Sequence, residues 1–283
     1  MRAMRVVVVG SVNLDLVARV ARLPAGGDTV GATGYTRVPG GKGANQALAA
    51  RRLGADVTLL AAVGTDEAAD EALALLAADG VDLTALQRVD GPTGVALITV
   101  DDSGENTIVV VPGANARLTV DPDALAGADA VVCQLEVPMD TVVAAAAAAP
   151  ADALFCLNPS PAAPVPDAVL DRADLVVANR AELAAVPGLD RAALVAVTAG
   201  PDGAVLRAGG REVARASSPR VTAADGTGAG DSFTGALVVG LLSGLDREAA
   251  LRRACLAGAA AASRPGAQPS LPRPADLDAL EAR

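Results

Sequence analysis

From residue 130 onward the chain repeats one rhythm, a short apolar run rich in Val and Leu followed by a stretch of small residues. Ala130 to Gln134, Ala153 to Leu157, Leu175 to Ala178 and Val195 to Thr198 read as strands, with helical segments at Thr141 to Ala149 and Ala168 to Leu170. Strands that alternate with helices need crossover connections, and those build a parallel sheet covered on both faces. In the N-terminal half, Val6 to Val9 is a continuous β-branched run of the kind buried on both sides; Val57 to Val63 is a second strand, and Asp66 to Ala78 a helix stopped at Gly80. The expected fold class is therefore α/β, a Rossmann-like open central sheet flanked by helices on both faces. Beside it, the glycine-broken segment Val17 to Val38 and the hairpin of Gly94 to Val100 with Asn106 to Val111 predict a small, mostly antiparallel sheet. That sheet, from about 13–39 and 92–112, is expected to close as a lid on a single domain spanning 1–283. Near the C-terminus a hairpin around Gly209-Gly210, a helix from Ser232 broken at Gly244, a last helix from Arg247 to Ala262 and an irregular end are expected.

With aromatics at 1% and apolar residues at 52% of 283 residues, the core has to be built from Ala, Val and Leu, and the length suffices for one. A net charge of -10 and a pI near 4.5 offer no electrostatic footprint for nucleic acid or an anionic membrane. The chain contains no histidine, which excludes His-dependent triads, histidine-ligated zinc and imidazole acid–base catalysis. Cys133, Cys156 and Cys255 lie far apart in apolar runs, so buried thiols and a reducing cytoplasm are expected. Val6 to Val9 is too brief for a signal peptide's apolar region, and the alanine-rich stretches Ala144 to Ala149 and Ala257 to Ala262 do not read as membrane spans.

Chemistry concentrates in Asp225-Gly226-Thr227-Gly228-Ala229-Gly230-Asp231, which runs straight into the apolar helical stretch Ser232 to Gly244. Small residues let a backbone turn closely around a bound group, and the amides opening the helix then point at it, which makes an anion site. Asp231 would stand beside that site in the first turn. Phosphoryl transfer needs this pairing, donors around the moving group and one carboxylate to accept the acceptor's hydroxyl proton. A capped core helix is the alternative for the loop alone. A second glycine-rich stretch, Gly40-Gly41-Lys42-Gly43-Ala44-Asn45-Gln46-Ala47, also opens a helix, and because Gly43 rather than Ser or Thr follows Lys42 it is not a Walker A loop. Asn13 and Asp15 alternate with Val12 and Leu14, so both could face one way and grip two hydroxyls of a polyol, or form an Asx turn. Polar residues recur where strands end: Glu136, Asn158, Asn179, Glu182, Thr198 and Gly200. In open α/β sheets that edge is the binding rim.

The segments Gly40 to Ala47 and Asp225 to Asp231, in this order and separation, resemble the two signatures of the ribokinase-like (PfkB) carbohydrate kinases. The resemblance extends through Gly104-Glu105-Asn106, Pro112-Gly113-Ala114-Asn115-Ala116, Gln134-Leu135-Glu136, Leu157-Asn158-Pro159 and Gly266-Ala267-Gln268-Pro269-Ser270. It implies ATP-dependent phosphorylation of D-ribose at the 5-hydroxyl, with Asp231 as general base and the amides of Gly228, Ala229 and Gly230 around the γ-phosphoryl group. By the same resemblance Asn13, Asp15, Gly41, Lys42, Asn45 and Glu136 hold the sugar, and Asn179, Thr198, Gly200, Gly228 and Gly230 the nucleotide. Asn179 and Glu182 are implied to organise magnesium, largely through water. An activating potassium is implied at Asp225, Thr227, Ala261, Arg264, Gly266 and Ser270, and a homodimer joined through the lid.

Two departures stand against this pattern. Between Glu182 and Thr198 the chain is shorter than the family leads one to expect, as if a helix were missing, and Gly226 stands where a threonine is common. Another pentose, deoxyribose, a ketohexose or a nucleoside would reuse Asp231 and its loop. A non-catalytic sugar-binding protein would be expected to have lost them. A nicotinamide-dependent dehydrogenase is argued against by Gly10-Ser11-Val12-Asn13, which lacks the dinucleotide fingerprint.

Overall fold

Four consecutive valines form the middle of the fold because both sides of their strand are covered. In β1 (Arg5–Val9), Val6 and Val8 enter one hydrophobic core while Val7 and Val9 enter another, and all four are fully buried. The computed structural model describes residues 4–282; residues 1–3, part of the N-terminal segment weighed above as a leader, and residue 283 lie outside it. After β1 come β2 (Asn13–Val20), β3 (Ala32–Gly40), α1 (Lys42–Arg52), β4 (Asp56–Leu60), β5 (Ala62–Val63) and α2 (Glu67–Ala78). The middle of the chain holds β6 (Gln87–Arg88), β7 (Gly94–Val100), β8 (Asn106–Val111), α3 (Pro122–Leu125), β9 (Ala130–Gln134), α4 (Met139–Ala148) and β10 (Leu154–Asn158). Then follow α5 (Asp167–Arg172), β11 (Leu175–Asn179), α6 (Arg180–Ala185), β12 (Leu194–Thr198), β13 (Ala204–Ala208), β14 (Arg211–Ala216), α7 (Ala229–Leu242), α8 (Arg247–Ala262) and α9 (Pro274–Glu281).

The main sheet has eight strands in the order β14-β13-β12-β11-β10-β9-β1-β4. Six run parallel, and the β13–β14 hairpin closes one edge antiparallel. Helices α1, α2, α7 and α8 supply residues to the core on one face, and α4 and α5 to the core on the other. Phe155 and Phe233 are the aromatics inside; the rest of the two cores is mainly Ala, Val and Leu. The three thiols are free and buried, and burial pushes each of them up, Cys255 to about 11.

A second sheet of four strands, β3-β2-β7-β8, stands beside the first. Its pair β2–β7 is parallel and its other pairings are antiparallel. Despite the glycines in Val17 to Val38, β2 and β3 are long, and one register shift between Arg19 and Val20 absorbs the irregularity.

Three boundaries differ from the sequence reading. The run Val57 to Val63 divides at Ala61, and its second piece pairs with β6 instead of continuing in the main sheet. Helix α7 opens at Ala229, three residues earlier than Ser232, because Gly228 takes the left-handed conformation (φ 77) immediately before it. The irregular C-terminal end continues into α9, where Pro274 begins the helix and Asp276 accepts the Arg273 amide.

An almost dry ion pair fastens this C-terminal segment to α1. Arg52 Nε donates to Asp79 Oδ2 at 2.7 Å while its Nη1 donates to the carbonyls of Gln268 and Leu271 at 2.9 and 2.7 Å. Arg273 reaches the other Asp79 oxygen. Breaking a buried pair from one side leaves the remaining charge uncompensated. Asp79→Ala should therefore lower the unfolding free energy by about 3 kcal/mol in urea titrations; a change under about 0.5 kcal/mol would place the pair among inert surface contacts.

Candidate active site

A cleft of about 400 Å³ lies between the strand ends of the main sheet and the inner face of the small one, lined by Asn13, Asp15, Lys42, Asn45, Glu136 and Asp231 among others. Two helix N-termini open into it. For α1, Gly41 adopts φ 89, and a Cβ there would lie 2.7 to 2.9 Å from the backbone of Ser11, Val12 and Asn13, so only glycine allows the chain to turn so close to the end of β1. Gly41 cannot cap with a side chain, and Glu136 does it from a distance. Its Oε2 accepts the Lys42 amide at 3.0 Å and the Ser11 hydroxyl, while Ser11 Oγ in turn accepts the Gly43 amide at 3.3 Å.

At the second N-terminus Asp231 occupies the third position of α7 and is 6% exposed. Its Oδ2 accepts from Asn45 Nδ2 and its Oδ1 from Gln46 Nε2, both at 2.9 Å. A carboxylate in the first turn of a helix is favoured by the helix dipole. Gly226, Thr227, Gly228 and Gly230 line the cleft beside it. Ala229 does not line the cleft, and its amide donates to the Gly226 carbonyl at 3.2 Å, so it is engaged in the loop's own turn.

Asn13 and Asp15 open β2 on the cleft side. Asn115 holds the first of them: its Nδ2 donates to Asn13 Oδ1 at 2.8 Å and to the Val12 carbonyl at 3.1 Å, while its Oδ1 accepts the Val12 amide at 2.9 Å. With its oxygen taken, Asn13 presents its NH₂ group. Burial pushes the Asp15 carboxyl up to about 7, reinforced by the charges of Glu136, Asp231 and Asp225 and opposed by Lys42. Burial would pull the Lys42 ammonium down, but Asp231, Glu136, Glu182 and Asp15 together hold it above its ordinary range. The Oδ1 of Asn45 is buried without a partner among the described residues.

At the far end Asn179, Glu182 and Thr198 line the same cleft. Asn179 and Glu182 cap α6 reciprocally, Asn179 N to Glu182 Oε2 at 2.8 Å and Glu182 N to Asn179 Oδ1 at 2.9 Å. Gly200 is exposed and does not line the cleft. Behind the Asp225 loop lies a second cavity of about 630 Å³, lined in part by Asp225, Thr227 and Gly266. Asp225 binds these together, its Oδ1 accepting the Thr227 amide and hydroxyl at 2.9 and 2.6 Å and its Oδ2 the Gly266 amide at 2.9 Å. Burial would raise Asp225, but these bonds hold it below the usual range. Ala261, Arg264 and Ser270 belong to the adjoining stretch without lining that cavity: the Ala261 carbonyl accepts the Arg264 amide, Arg264 pairs with Asp276, and Ser270 Oγ donates to the Ala267 carbonyl.

Residues 3–274 match the description "pfkB family carbohydrate kinase". The chain belongs to that family. Among curated relatives, ribokinase of Bacillus subtilis is 36% identical over 96% of this chain and 98% of its own length. Deoxyribokinase of Salmonella typhimurium is 33% identical over 95% and 96%. Among solved structures, Arabidopsis thaliana ribokinase complexed with ribose and ATP superposes with a TM-score of 0.90 at 29% identity, covering 98% of both chains. The pfkB kinase fold is thus present over nearly the whole chain, an α/β fold with a separate small sheet.

Sequence reasoning did not single out Ser11, Gln46, Asn115 or Gln134, although all four stand in or next to the motifs quoted above. Each acts on another residue instead of facing the cleft, and the polarity of a residue in an apolar run was the available signal.

The Asp15 shift fixes a pH dependence. Unfolded, this carboxyl titrates near 3.8; folded, near 7. Between those values the folded state binds more protons, so the stability that protonated Asp15 contributes is lost as pH rises toward 7. Asp15→Asn removes the titration, so its melting temperature should gain on the parent's between about pH 4 and 7 and level off above. A difference that stays flat across this range would show that Asp15 is not held protonated.

Proposed function

We propose that the chain is an ATP-dependent sugar kinase that phosphorylates D-ribose at its 5-hydroxyl, giving D-ribose 5-phosphate and ADP. The observation that carries this reading is the placement of Asp231, bonded through both oxygens to α1 in the opening turn of α7, in one cleft with Asn13, Asp15 and Lys42. Asn13 donates to a sugar hydroxyl and Asp15 and Glu136 accept from others. Lys42 and the backbone at Gly41 close around the ring, and the unpartnered Asn45 Oδ1 takes one more hydroxyl. Asp231 accepts the 5-hydroxyl proton as that oxygen attacks the γ-phosphorus and ADP leaves. The amides of Gly228 and Gly230, with the α7 dipole, receive the charge that spreads over the transferring group. Asn179, Thr198 and Gly200 flank the nucleotide.

Magnesium fits the residues present. Among the described residues no group of three or more acidic, Cys or His side chains is arranged to hold a metal, and magnesium habitually keeps water and rides on nucleotide phosphates. Glu182 has its Oε1 left for such water, with Asn179 beside it. The ion would neutralise phosphate charge. The charged Asp225 carboxylate, with backbone oxygens of Thr227, Ala261, Arg264, Gly266 and Ser270 in the neighbouring segments, suits a monovalent cation such as potassium, which would steady the loop. The segments 13–39 and 92–112 act as a lid that shuts water out. No described helix is long and apolar enough to cross a membrane, and the free buried thiols suit the cytoplasm.

The outer face of the small sheet supports a homodimer through that lid. Tyr35 is 61% and Val109 60% exposed, Leu97 and Val111 are exposed beside them, and all six residues of β8 are open at the edge. Such an edge is managed in nature by pairing or cover. Val109→Lys should convert a dimer in sedimentation velocity into monomers; a parent that already sediments as a monomer at micromolar concentration would remove the dimer.

The reaction is tested by ADP release from MgATP with ribose, 2-deoxyribose, fructose or adenosine, in potassium or sodium. Ribose should turn over fastest, and faster in potassium. Turnover on another acceptor alone would reassign the substrate and leave Asp231 its role. Asp231→Asn should lower kcat by roughly 10³-fold while calorimetric ribose affinity stays within about threefold; full activity in this variant would overturn the mechanism.

A further inference from the structure

Behind Asp231 lies a line of three buried amides that the reaction as described does not use. Gln46 Nε2 donates both to Asp231 Oδ1 at 2.9 Å and to Asn158 Oδ1 at 3.0 Å. Gln134 Nε2 donates to Gln46 Oε1 at 2.6 Å, and Asn158 Nδ2 donates to the Val177 carbonyl at 2.8 Å. Gln46 and Gln134 are 1% and 0% exposed, and Asn158 8%. The ends of this line decide its direction. A carboxylate and a backbone carbonyl can only accept, so Gln46 must turn its NH₂ toward Asp231 and Asn158 its NH₂ toward Val177. Gln46 Oε1 is then an acceptor, which forces the NH₂ of Gln134 toward it. Each amide has one orientation. No alternative flip preserves the bonds.

The line is anchored in the main sheet. Gln134 and Asn158 are paired neighbours at the ends of β9 and β10, and Val177 lies in β11. Gln134 Oε1 has no partner among the described residues, and a Cβ on Gly10 would come within 2.0 Å of it, so the side chain is packed directly against the end of β1. The base on α7 is therefore tied through Gln46 on α1 to the ends of the central strands.

We infer that Gln46 is the positioning residue of Asp231, holding its carboxylate fixed in direction for the acceptor hydroxyl, with Asn158 and Gln134 fixing Gln46. This rests on the kinase reading for its catalytic consequence and on the hydrogen bonds alone for its effect on the carboxylate. Asn45 binds the other oxygen and lines the cleft, within reach of a substrate; Gln46 is not among the lining residues, so its bond to Asp231 is shielded from direct competition by a sugar. A donor to the charged form favours that form.

Two variants and two readouts test it. In Gln46→Leu the donor is gone at similar volume; in Gln46→Glu a second carboxylate faces the first, in a cleft that also holds Asp15, Lys42, Glu136 and Glu182. The first readout is steady-state kinetics on folded protein. Gln46→Leu should lose roughly ten- to a hundredfold in kcat with KM for sugar and ATP within about twofold. In Gln46→Glu the acid limb of kcat should move to higher pH by about one unit or more, since two touching carboxylates share a proton. A merely structural role would move neither limb nor the balance of kcat and KM. The second readout needs no turnover: the carbon-13 carboxyl signal that disappears in Asp231→Asn should titrate about one unit higher in Gln46→Leu than in the parent. An unmoved titration, or a kcat within twofold of the parent, overturns the inference. If the parent is idle on every sugar, the kinase reading falls and the carboxyl titration still decides the role of Gln46.

Discussion

Everything in the cleft depends on how closely α1 and α7 approach each other, and Gly235 sets that distance. A Cβ on this residue would stand 2.9 Å from Ala49 Cβ, 3.0 Å from the Ala50 amide nitrogen and 3.2 Å from the Gln46 carbonyl oxygen. Without it the two helices lie backbone against backbone, and their first turns arrive side by side. Gly43 does the same at the tip of α1, where a Cβ would fall 2.5 Å from the backbone of Gly10 and Ser11. Two helix N-termini thus converge on one cleft, each with a partial positive charge. Glu136 meets one and Asp231 the other. The acidity of the site is bound up with this geometry.

Charge balance then explains what the cleft asks of its ligands. Asp15, Glu136, Glu182 and Asp231 surround the single ammonium of Lys42, and burial, reinforced by the charges of Glu136, Asp231 and Asp225, pushes the Asp15 carboxyl up to about 7. A hydroxyl-rich molecule suits such a site, because hydroxyls donate to carboxylates without adding charge. A polyphosphate does not, unless cations accompany it. The separation of the two regions follows: carboxylates gather under the small sheet, and backbone amides and glycines gather at the Asp225 loop. A sugar kinase has to keep these apart by the length of one hydroxymethyl group and a phosphoryl group, and Asp231 stands at the boundary.

The fold was legible wherever a physical pattern repeats. Valine runs buried on both sides, helices between them and the hairpin across Asp101 to Glu105 all follow from periodicity and turn chemistry, and the structure has them within a few residues. The Asp225 loop and the Gly40 stretch were legible as glycine turns that open helices, and both helices begin at the cleft. What could not be read is anything that depends on distance across the chain. Asn115 reaches Val12 and Asn13 over about a hundred residues, and Glu136 caps a helix that begins ninety-four residues earlier. The Arg52–Asp79 pair falls in the same class, while the start of α9 does not: Pro274 and Asp276 are local signals within a stretch that otherwise reads as an irregular end.

The short connection from β11 to β12 shows how such neighbours can seal a core with little chain. Between β11 and β12 the chain forms the six-residue α6 and a 3-10 turn at Leu189–Arg191. A crossover so brief should leave apolar strand surface in water, yet Val176, Val195 and Val197 remain buried. Three residues achieve this: Val186, Leu189 and Ala192 are each under 5% exposed and pack into the same core. Arg191 then clamps the turn to α5 through Asp167 and Asp171. The hydrophobic seal is complete without another helix. The connection ends beside Thr198 at the rim of the cleft, while Asp231 and the loop at Gly228 stand on elements outside it.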